Sequence, residues 1–333
     1  MAISTLMKGE YKIMSERNKK KDMMWAFMLQ LGTNMWSDPQ SQTNAPYSPE
    51  LITDDVAWRA VVDFLPSQGF NTVLIDIGDA LQYETHPEIS IKGAWSKEKM
   101  KKELDHMRSI GLTPIPKLNF AATHDAWLGV YSRMVSTPQY YQVCKDLITE
   151  VAEVFDYPEF FHLGMDEEIY DLQKHLAYVC IRQYELLWHD MFFLFDVCDK
   201  LGIRPWIWSD LCWNKEMTDE FMRRMPKSVL QSNWYYVRVW QHPGGPYLNS
   251  TFNAYITLNE HGFEQVPTGS TKFGNDTNML ETMHALKLEL DPNLLKGYMT
   301  VPWGRIREYG KYRQMNDAVK FNIGKRKIYP EYC

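Results

Sequence analysis

Short apolar segments alternate with longer amphipathic segments from about residue 24 to residue 322. The apolar segments have the length of β-strands, and the amphipathic ones repeat with the period of α-helices, including one long helix predicted from Asp171 to Lys200. The eight predicted strands are MMWAFMLQL, NTVLIDIGD, TPIPKLNF, FFHLGM, RPWIWSD, SVLQSNWYY, FEQVPTG and LLKGYMTVPW. Eight successive strand–helix units predict an α/β protein with the (β/α)8 TIM-barrel fold.

The predicted units follow one another without a linker, a low-complexity tract or a large insertion. We therefore expect one barrel domain over residues 23–333, preceded by a loose polar arm over residues 1–22. Gly69, Gly111 and Gly202 each stand just before a predicted strand, where glycine supplies the left-handed residue that ends a helix. These stops support the predicted order of helices and strands.

The composition is that of a soluble globular protein with an unusual share of aromatic residues. Hydrophobic residues make up 45% of the chain and charged residues 23%, and the formal net charge is −6, which argues against a nucleic acid or an anionic membrane as a partner. No apolar run approaches the roughly 18 residues of a membrane span. Aromatic residues make up 14%, with 12 tryptophans. Most are expected in the core, although their flat faces also suit sugar rings.

The five cysteines show no CxxC or CxxH spacing and are odd in number, so we expect free thiols, no metal site and no cofactor. The tract KKKDMMWAFMLQLG imitates a signal peptide, but its apolar part is short, is interrupted by Gln30 and lacks an A-x-A-like cleavage site. The compartment stays open between a cytoplasmic protein and an exported protein whose leader has been removed. A homo-oligomer also stays open.

Polar residues interrupt the apolar strands on the side that alternation points into the barrel. In TIM barrels the active site lies at the C-terminal ends of the strands, and strands buried on both faces are otherwise nearly all apolar. The inward polar positions are Gln30, Asp76, Lys117, Asn119, His162, Asp166 and Asp210. We expect them at the mouth of the barrel as candidates for substrate binding, while His162 is also open to a buried structural role.

The fourth predicted strand ends in three adjacent acids, Asp166, Glu167 and Glu168. Alternation sends Asp166 into the barrel and leaves Glu167 at its rim. Neighbouring carboxylates push each other's pKa values apart, so that one stays ionised while the other holds a proton and acts as a general acid. An acid before a helix can instead favour the helix dipole. We assign that role to Glu168 and Asp171, and a catalytic role to Asp166 and Glu167.

The segment HLGMDE, which ends in Glu167, resembles the HxGGDE signature of family-20 glycoside hydrolases, the β-N-acetylhexosaminidases, with Met165 in place of the second glycine. IPKLNFAATH resembles that family's third-strand segment IPEIDxPGH, WIWSD its fifth-strand tryptophan and acidic pair, and SNWYY its sixth-strand segment. The similarity follows the order of the barrel strands. It implies a barrel that hydrolyses the glycosidic bond of a β-linked terminal sugar, with a carbohydrate as its partner.

The resemblance also implies roles for individual residues. Glu167 would be the general acid/base. Asp166 would orient the 2-acetamido group of the substrate, whose oxygen attacks the anomeric carbon in place of an enzyme carboxylate. Trp208, Trp234 and Trp303 would form the walls of the pocket.

Tyr235 and His124 are further candidates for contacts to the substrate. By resemblance, Tyr235 would donate a hydrogen bond to the acetamide, whereas His124, in the third βα loop, would either hold a carboxylate or contact the sugar. Lys117 and Asn119 replace two acids of the family, and Arg238 lies near a third acidic position. The two cations would suit an anionic or differently substituted sugar.

Three alternatives stay open from the residues. A conventional two-carboxylate glycosidase would use Asp210 as its nucleophile or base. A metal-dependent sugar isomerase would collect ligands from successive strand ends, starting from Glu167 and Asp210, but the sixth and eighth strands end in Trp234 and Trp303 and supply no further ligand. A barrel that binds glycans without cleaving them would have no role for Glu167 as an acid.

Overall fold

Eight parallel strands form the inner wall of the fold. The computed structural model describes residues 23–41, 45–241 and 245–333, and the predicted arm over residues 1–22 lies outside them. The strands are β1 (Met24–Gln30), β2 (Thr72–Asp76), β3 (Thr113–Lys117), β4 (Phe160–His162), β5 (Arg204–Trp208), β6 (Leu230–Ser232), β7 (Thr268–Gly269) and β8 (Gly297–Thr300). Each pairs with its neighbour in chain order from β1 to β6, and β8 joins β1 to β7.

Strands β6 and β7 close the ring through isolated bridges rather than a continuous ladder. Gln231 pairs with Gln265 and Trp234 with Thr268, and the Val266 N–H donates to the Gln231 carbonyl at 2.8 Å. This nearly continuous ring of eight parallel strands confirms the predicted (β/α)8 TIM barrel. All strands therefore open their C-terminal ends at one mouth.

Nine α-helices pack around the strands in the described part of the chain. They are α1 (Asp55–Phe64), α2 (Lys97–Ser109), α3 (Pro138–Val154), α4 (Tyr170–Gln173), α5 (Glu185–Lys200), α6 (Lys215–Arg224), α7 (Ser250–Glu260), α8 (Asn278–Leu286) and α9 (Gly310–Ile328). Ser96 and Thr137 cap α2 and α3 by accepting the N–H groups of Lys99 and Tyr140. The predicted glycine stop at Gly69 is present, with φ of 77°. Within the described ranges, no helix is long and apolar enough to cross a membrane.

The long helix predicted from Asp171 to Lys200 is wrong. The structure divides this region into α4 and α5, and residues 174–184 between them do not form an α-helix. The buried side chain of Arg182 accounts for the break, because its guanidinium donates to the Phe120 carbonyl at 2.8 Å and to Asp190 at 3.3 Å. A chain segment that must bring a buried cation to Phe120 and Asp190 follows those contacts and not its own amphipathic pattern.

A polar layer stands above an apolar floor inside the barrel. The floor consists of Ala26, Met28, Leu74, Ile115, Phe160, Trp206, Trp208, Leu230, Val266, Met299 and Val301. The strand registers place Gln30, Asp76, Lys117 and His162 side by side on β1 to β4, and all four are buried. The barrel is therefore filled below and polar near its mouth, where the candidate site lies.

Candidate active site

A pocket of about 150 Å³ opens at the C-terminal mouth of the barrel. Six residues predicted from the sequence line it, namely His124, Asp166, Glu167, Trp208, Trp234 and Trp303. They come from the loops after β3 and β4, from the end of β5 and from the segments after β6 and β8. The flat indole walls and the small volume suit a site for one sugar ring.

The loop after β4 brings both acids of HLGMDE into this pocket. Gly164, Met165 and Glu167 adopt left-handed φ values of 74°, 69° and 57°. Glycine is required at 164, because a Cβ atom there would lie 1.9 Å from Oδ1 of Asn119. Met165 keeps the left-handed backbone that the second glycine of the family motif would favour. Since the backbone no longer alternates as a strand does, Glu167 and Asp166 can both face the pocket.

The imidazole of His124 lies between the two carboxylates. Its Nδ1 is 3.2 Å from Oδ1 of Asp166, and its Nε2 is 3.3 Å from Oε2 of Glu167. Nδ2 of Asn119 donates to the same Asp166 oxygen at 2.8 Å. The Asp166 side chain is only 8% exposed, whereas that of Glu167 is 31% exposed. Glu167 is therefore the acid that a ligand can reach more easily.

The charges in this cluster stabilise one another. Burial disfavours the imidazolium, but the charge of Asp166, with a smaller contribution from the contact with Glu167, outweighs it and raises the pKa of His124 to about 10. Burial also opposes ionisation of Asp166, yet His124, Lys117 and the hydrogen bond from Asn119 together hold the pKa of Asp166 below its ordinary value. At neutral pH the site thus contains a carboxylate at Asp166 and an imidazolium that faces Glu167.

Asp210 is the carboxyl group of the site that favours its protonated form. Burial and the charge of Asp166 raise the pKa of Asp210 to about 8. Its two oxygens accept hydrogen bonds from the Glu167 N–H at 2.8 Å and from Nε1 of Trp234 at 3.4 Å. Asp210 therefore lies behind the lining residues, where it holds the backbone of Glu167 and one wall of the pocket.

Three predicted substrate ligands, Asp76, Lys117 and His162, lie beneath the pocket. Nζ of Lys117 donates to Oδ2 of Asp76 at 2.7 Å, and both side chains are buried. Nδ1 of His162 accepts the Gly164 N–H at 3.1 Å, and the imidazole lies 4.6 Å from the ring of Trp208. Burial and the charge of Lys117 lower the pKa of His162, so that the imidazole is neutral. These side chains support the pocket from below.

Four lining residues were not predicted, namely Trp36, Tyr236, Lys272 and Phe273. The ring of Tyr236 stacks on that of Trp234 at 4.9 Å, whereas the ring of the predicted Tyr235 packs edge-on against Phe252 of α7 at 5.3 Å. The tyrosine of the pocket is therefore one residue further along the chain than predicted. Trp36 and Tyr236 each come a few residues after a strand, and this position in the sequence could have marked them as candidates for the pocket. No such feature of the segment TKFG marked Lys272.

Glu168, the third acid, is fixed outside the pocket. Its Oε1 accepts the Ala122 N–H at 2.8 Å and a hydrogen bond from the buried guanidinium of Arg182. The Thr123 hydroxyl donates to the Glu167 carbonyl. The loop after β3 and the segment before α5 thus clamp the acid-bearing loop from two sides. Glu168 has a specific cation as its partner in place of the helix dipole that the sequence suggested.

The cluster of His124, Asp166 and Glu167 is also compact enough for a metal ion, since one ligand atom of each lies within 4.8 Å of the others. A ligating histidine must be deprotonated at the ligating nitrogen. Here both nitrogens of His124 already face carboxylate oxygens, at 3.2 and 3.3 Å. The donor set therefore fits an imidazolium bridge between two carboxylates better than a metal centre.

Comparison with solved structures finds similar barrels at low sequence identity. A GH20 (family-20) exo-β-N-acetylglucosaminidase from Vibrio harveyi matches with a TM-score of 0.60 and 12% identity, over 93% of this chain and 57% of that one. A β-N-acetylhexosaminidase from Bacteroides fragilis also matches with a TM-score of 0.60 and 12% identity, over 89% of this chain and 65% of that one. The chain has the fold of the family-20 barrel.

Dispersin B extends this likeness to a structure of similar length. It matches with a TM-score of 0.55 and 14% identity, over 90% of this chain and 98% of that one. No protein-family model matches the sequence, and no curated protein matches it either. The family-20-like resemblance predicted from HLGMDE is thus confirmed at the level of the fold. The chemistry of the pocket has to be argued from its own residues.

Proposed function

We propose that this chain is a glycoside hydrolase that removes a terminal β-linked N-acetylhexosamine residue. The observation that carries the proposal is the position of His124 between Asp166 and Glu167, in a tryptophan-walled pocket at the mouth of the barrel. The fold supports it, because similar structures are a β-N-acetylglucosaminidase and a β-N-acetylhexosaminidase. The small pocket favours one terminal sugar over an extended glycan.

Glu167 is the general acid of the proposed reaction. It is the more exposed of the two pocket carboxyl groups, so the glycosidic oxygen of a bound sugar can reach it. When Glu167 gives its proton to that oxygen, the carboxylate that remains is stabilised by the imidazolium of His124, 3.3 Å away. General acid catalysis of this kind contributes about 10²- to 10⁴-fold to a rate.

Asp166 is the orienting carboxylate. It is ionised, since His124, Lys117 and Asn119 hold the pKa of Asp166 low despite burial, and it can accept a hydrogen bond from the N–H of a 2-acetamido group. The acetamido oxygen then attacks the anomeric carbon while the glycosidic bond breaks. Water opens the cyclic intermediate and returns a proton to Glu167. Tyr236, on the pocket wall, takes the role of hydrogen-bond donor to the acetamide that the sequence had assigned to Tyr235.

The rival two-carboxylate mechanism would require Asp210 to be an ionised nucleophile or base. Its raised pKa opposes ionisation at neutral pH. Both of its oxygens are also engaged, with the Glu167 N–H and with Nε1 of Trp234. The substrate's own acetamido group is therefore the better attacking group in this pocket.

Hydrolysis of a panel of 4-nitrophenyl glycosides tests the function. The panel contains β-linked 2-acetamido sugars, plain β-hexosides and a β-glucuronide, and is offered to the wild type, Glu167→Gln and Asp166→Asn. We expect release from the 2-acetamido sugars alone, with turnover lowered about 10²- to 10⁴-fold in Glu167→Gln and also lowered in Asp166→Asn. The exposed Glu153 of α3 supplies the matched control, since Glu153→Gln should keep full activity.

The outcomes separate the parts of the proposal. Unchanged turnover in Glu167→Gln would show that Glu167 is not the acid. Release from sugars without an acetamido group, or failure of an N-acetylglucosamine-thiazoline to inhibit, would require a second enzyme carboxylate. Tight sugar binding without any hydrolysis would make this barrel a glycan-binding protein.

A further inference from the structure

A lysine on the pocket wall has no part in the reaction proposed above. Lys272 lies in the loop after β7 and lines the pocket together with Trp36, Phe273 and Trp303. Its Nζ is 5.8, 5.7 and 5.9 Å from the centres of those three rings, in that order. These distances are at the outer limit of a cation–π contact. The ammonium therefore lies between three aromatic rings and makes a close cation–π contact with none of them.

The ammonium of Lys272 has no ion-pair partner in the part of the chain that the structure describes. The two acids of the pocket, Asp166 and Glu167, already face the imidazole of His124. Burial and the positive charge of Arg313 lower the pKa of Lys272, and the charge of Glu167 offsets them only in part. An anion on the open side of the pocket would relieve the rest of this penalty on the charged form.

The loop that carries Lys272 is held by hydrogen bonds at this residue and at the two residues before it. The Lys272 N–H donates to Oγ of Ser270 at 3.0 Å, and the Ser270 hydroxyl donates to the Val301 carbonyl at 2.6 Å. The Thr271 hydroxyl donates to Asp317 of α9. Because these hydrogen bonds already order the loop, a ligand that binds Lys272 loses little affinity to the entropic cost of ordering it.

We propose that Lys272 binds an anionic group, a sulfate or a carboxylate, on the sugar that occupies the pocket. This proposal rests on the proposed glycosidase function and specifies the class of sugar that the enzyme cleaves. The two cations that the sequence suggested for such a role lie elsewhere. Lys117 pairs with Asp76 beneath the pocket, and Arg238 is exposed and outside the lining of the pocket. Lys272 is therefore the residue that sets specificity, and neutral N-acetylhexosamines are the poorer substrates.

Paired substrates measure this preference. The 4-nitrophenyl β-N-acetylglucosaminide is compared with its 6-O-sulfate, and with a counterpart that carries a 3-O-lactyl carboxylate, by kcat/KM in the wild type and in Lys272→Met. Methionine keeps an aliphatic side chain against the aromatic rings and removes the charge. We expect the wild type to prefer one of the anionic substrates, and Lys272→Met to lower the anionic-to-neutral ratio roughly 10- to 100-fold, the range of a charge-assisted hydrogen bond.

Lys227→Met and Arg238→Gln are the matched controls. Lys227 is also exposed and lies over an aromatic ring, with Nζ 3.1 Å from the centre of Phe263, but it precedes β6 at the opposite end of the barrel. Both controls should keep the wild-type ratio. A ratio that is unchanged in Lys272→Met, or one that is lost in Arg238→Gln, overturns the proposal.

Binding tests the anion site independently of turnover. Trp36 and Trp303 flank Lys272, so tryptophan fluorescence reports titrations with N-acetylglucosamine, its 6-sulfate and N-acetylmuramic acid. Tighter binding of an anionic sugar that is lost in Lys272→Met supports the site even where the hydrolase function fails. Equal affinity for anionic and neutral sugars, or no binding of any, overturns the site whether or not a sugar is cleaved.

Discussion

Replacing Asp210 with asparagine separates the two mechanisms open to this pocket, because each gives that side chain a different charge. In the proposed mechanism Asp210 is protonated at neutral pH and accepts hydrogen bonds from the Glu167 N–H and from Trp234. Asp210→Asn keeps an oxygen that can accept the Glu167 N–H, and it cannot ionise. In the rival mechanism Asp210 must be ionised to attack the sugar or to activate water.

The raised pKa of Asp210 sets the size of the effect on stability. Burial and the charge of Asp166 raise the pKa of Asp210 from its ordinary value of 3.8 to about 8 in the folded protein. Between pH 3.8 and pH 8, the folded protein therefore keeps a proton that the unfolded chain releases. The free energy of unfolding of the wild type then falls as the pH rises, by up to about 1.4 kcal/mol per pH unit. From pH 5 to pH 7 the variant should therefore gain roughly 2 to 3 kcal/mol relative to the wild type.

Thermal unfolding at pH 5 and pH 7 gives the first readout. For a chain of 333 residues, with an unfolding entropy of roughly 0.7 kcal/mol per kelvin, the gain corresponds to about 3 to 4 °C in Tm. Asp219→Asn, at an exposed position of α6, controls for the general loss of a carboxylate and should show a constant difference. The second readout is turnover, which should stay within about tenfold of the wild type in Asp210→Asn, whereas loss of a nucleophile lowers it by on the order of 10⁴-fold.

A difference in Tm that is the same at pH 5 and at pH 7 would refute the electrostatic reasoning, since it would show that Asp210 is ionised in the folded protein. If turnover were also abolished and a covalent glycosyl-enzyme could be trapped, Asp210 would be the nucleophile. A growing difference in Tm with turnover retained would leave the acetamido group of the substrate as the attacking group.

Two further substitutions test how the acid-bearing loop is held. Gly164→Ala should lower Tm and turnover, because its Cβ would lie 1.9 Å from Oδ1 of Asn119. Gly202→Ala is the control, since Gly202 has a similar φ of 72° but open space around it. It should lower the free energy of unfolding only by the cost of the left-handed backbone, roughly 1–2 kcal/mol. Arg182→Gln should lower the free energy of unfolding in denaturant by about 3–5 kcal/mol, since it leaves buried carboxylates unpaired. Arg224→Gln, at ion pairs on the surface, should lower it by less than about 1 kcal/mol. Equal losses within either pair would contradict the packing described.

The barrel could be predicted because its signal recurs eight times along the chain. Strands such as β2 are apolar over most of their length, since both of their faces are buried, and this signal depends only on neighbours in sequence. The break between α4 and α5 could not be predicted in this way. It depends on Arg182 reaching the carbonyl of Phe120, 62 positions earlier in the chain, and no local pattern encodes a contact of that kind.

The site could be predicted where strand alternation or the resemblance to the family-20 motifs covers it. Trp208, within β5, lies where alternation and the resemblance place it. Tyr236 lines the pocket instead of Tyr235, and Lys272 was not foreseen, because both lie in segments beyond the strands, where period two no longer applies. The imidazole of His124, from another loop, lies between Asp166 and Glu167, and it is the pKa of Asp210 that burial and the charge of Asp166 raise.

The three adjacent acids after β4 can coexist because each has a cationic group beside it. Asp166 and Glu167 share the imidazolium of His124, one on each ring nitrogen, and Glu168 pairs with the buried guanidinium of Arg182. Like charges at this spacing would otherwise raise one another's pKa values and favour protonation of the buried members. The result is one ionised acid deep in the pocket, one more accessible acid above it and one acid outside the pocket that is held by Arg182. Substrate-assisted hydrolysis needs the first two in those places, and the third fixes the loop that carries them.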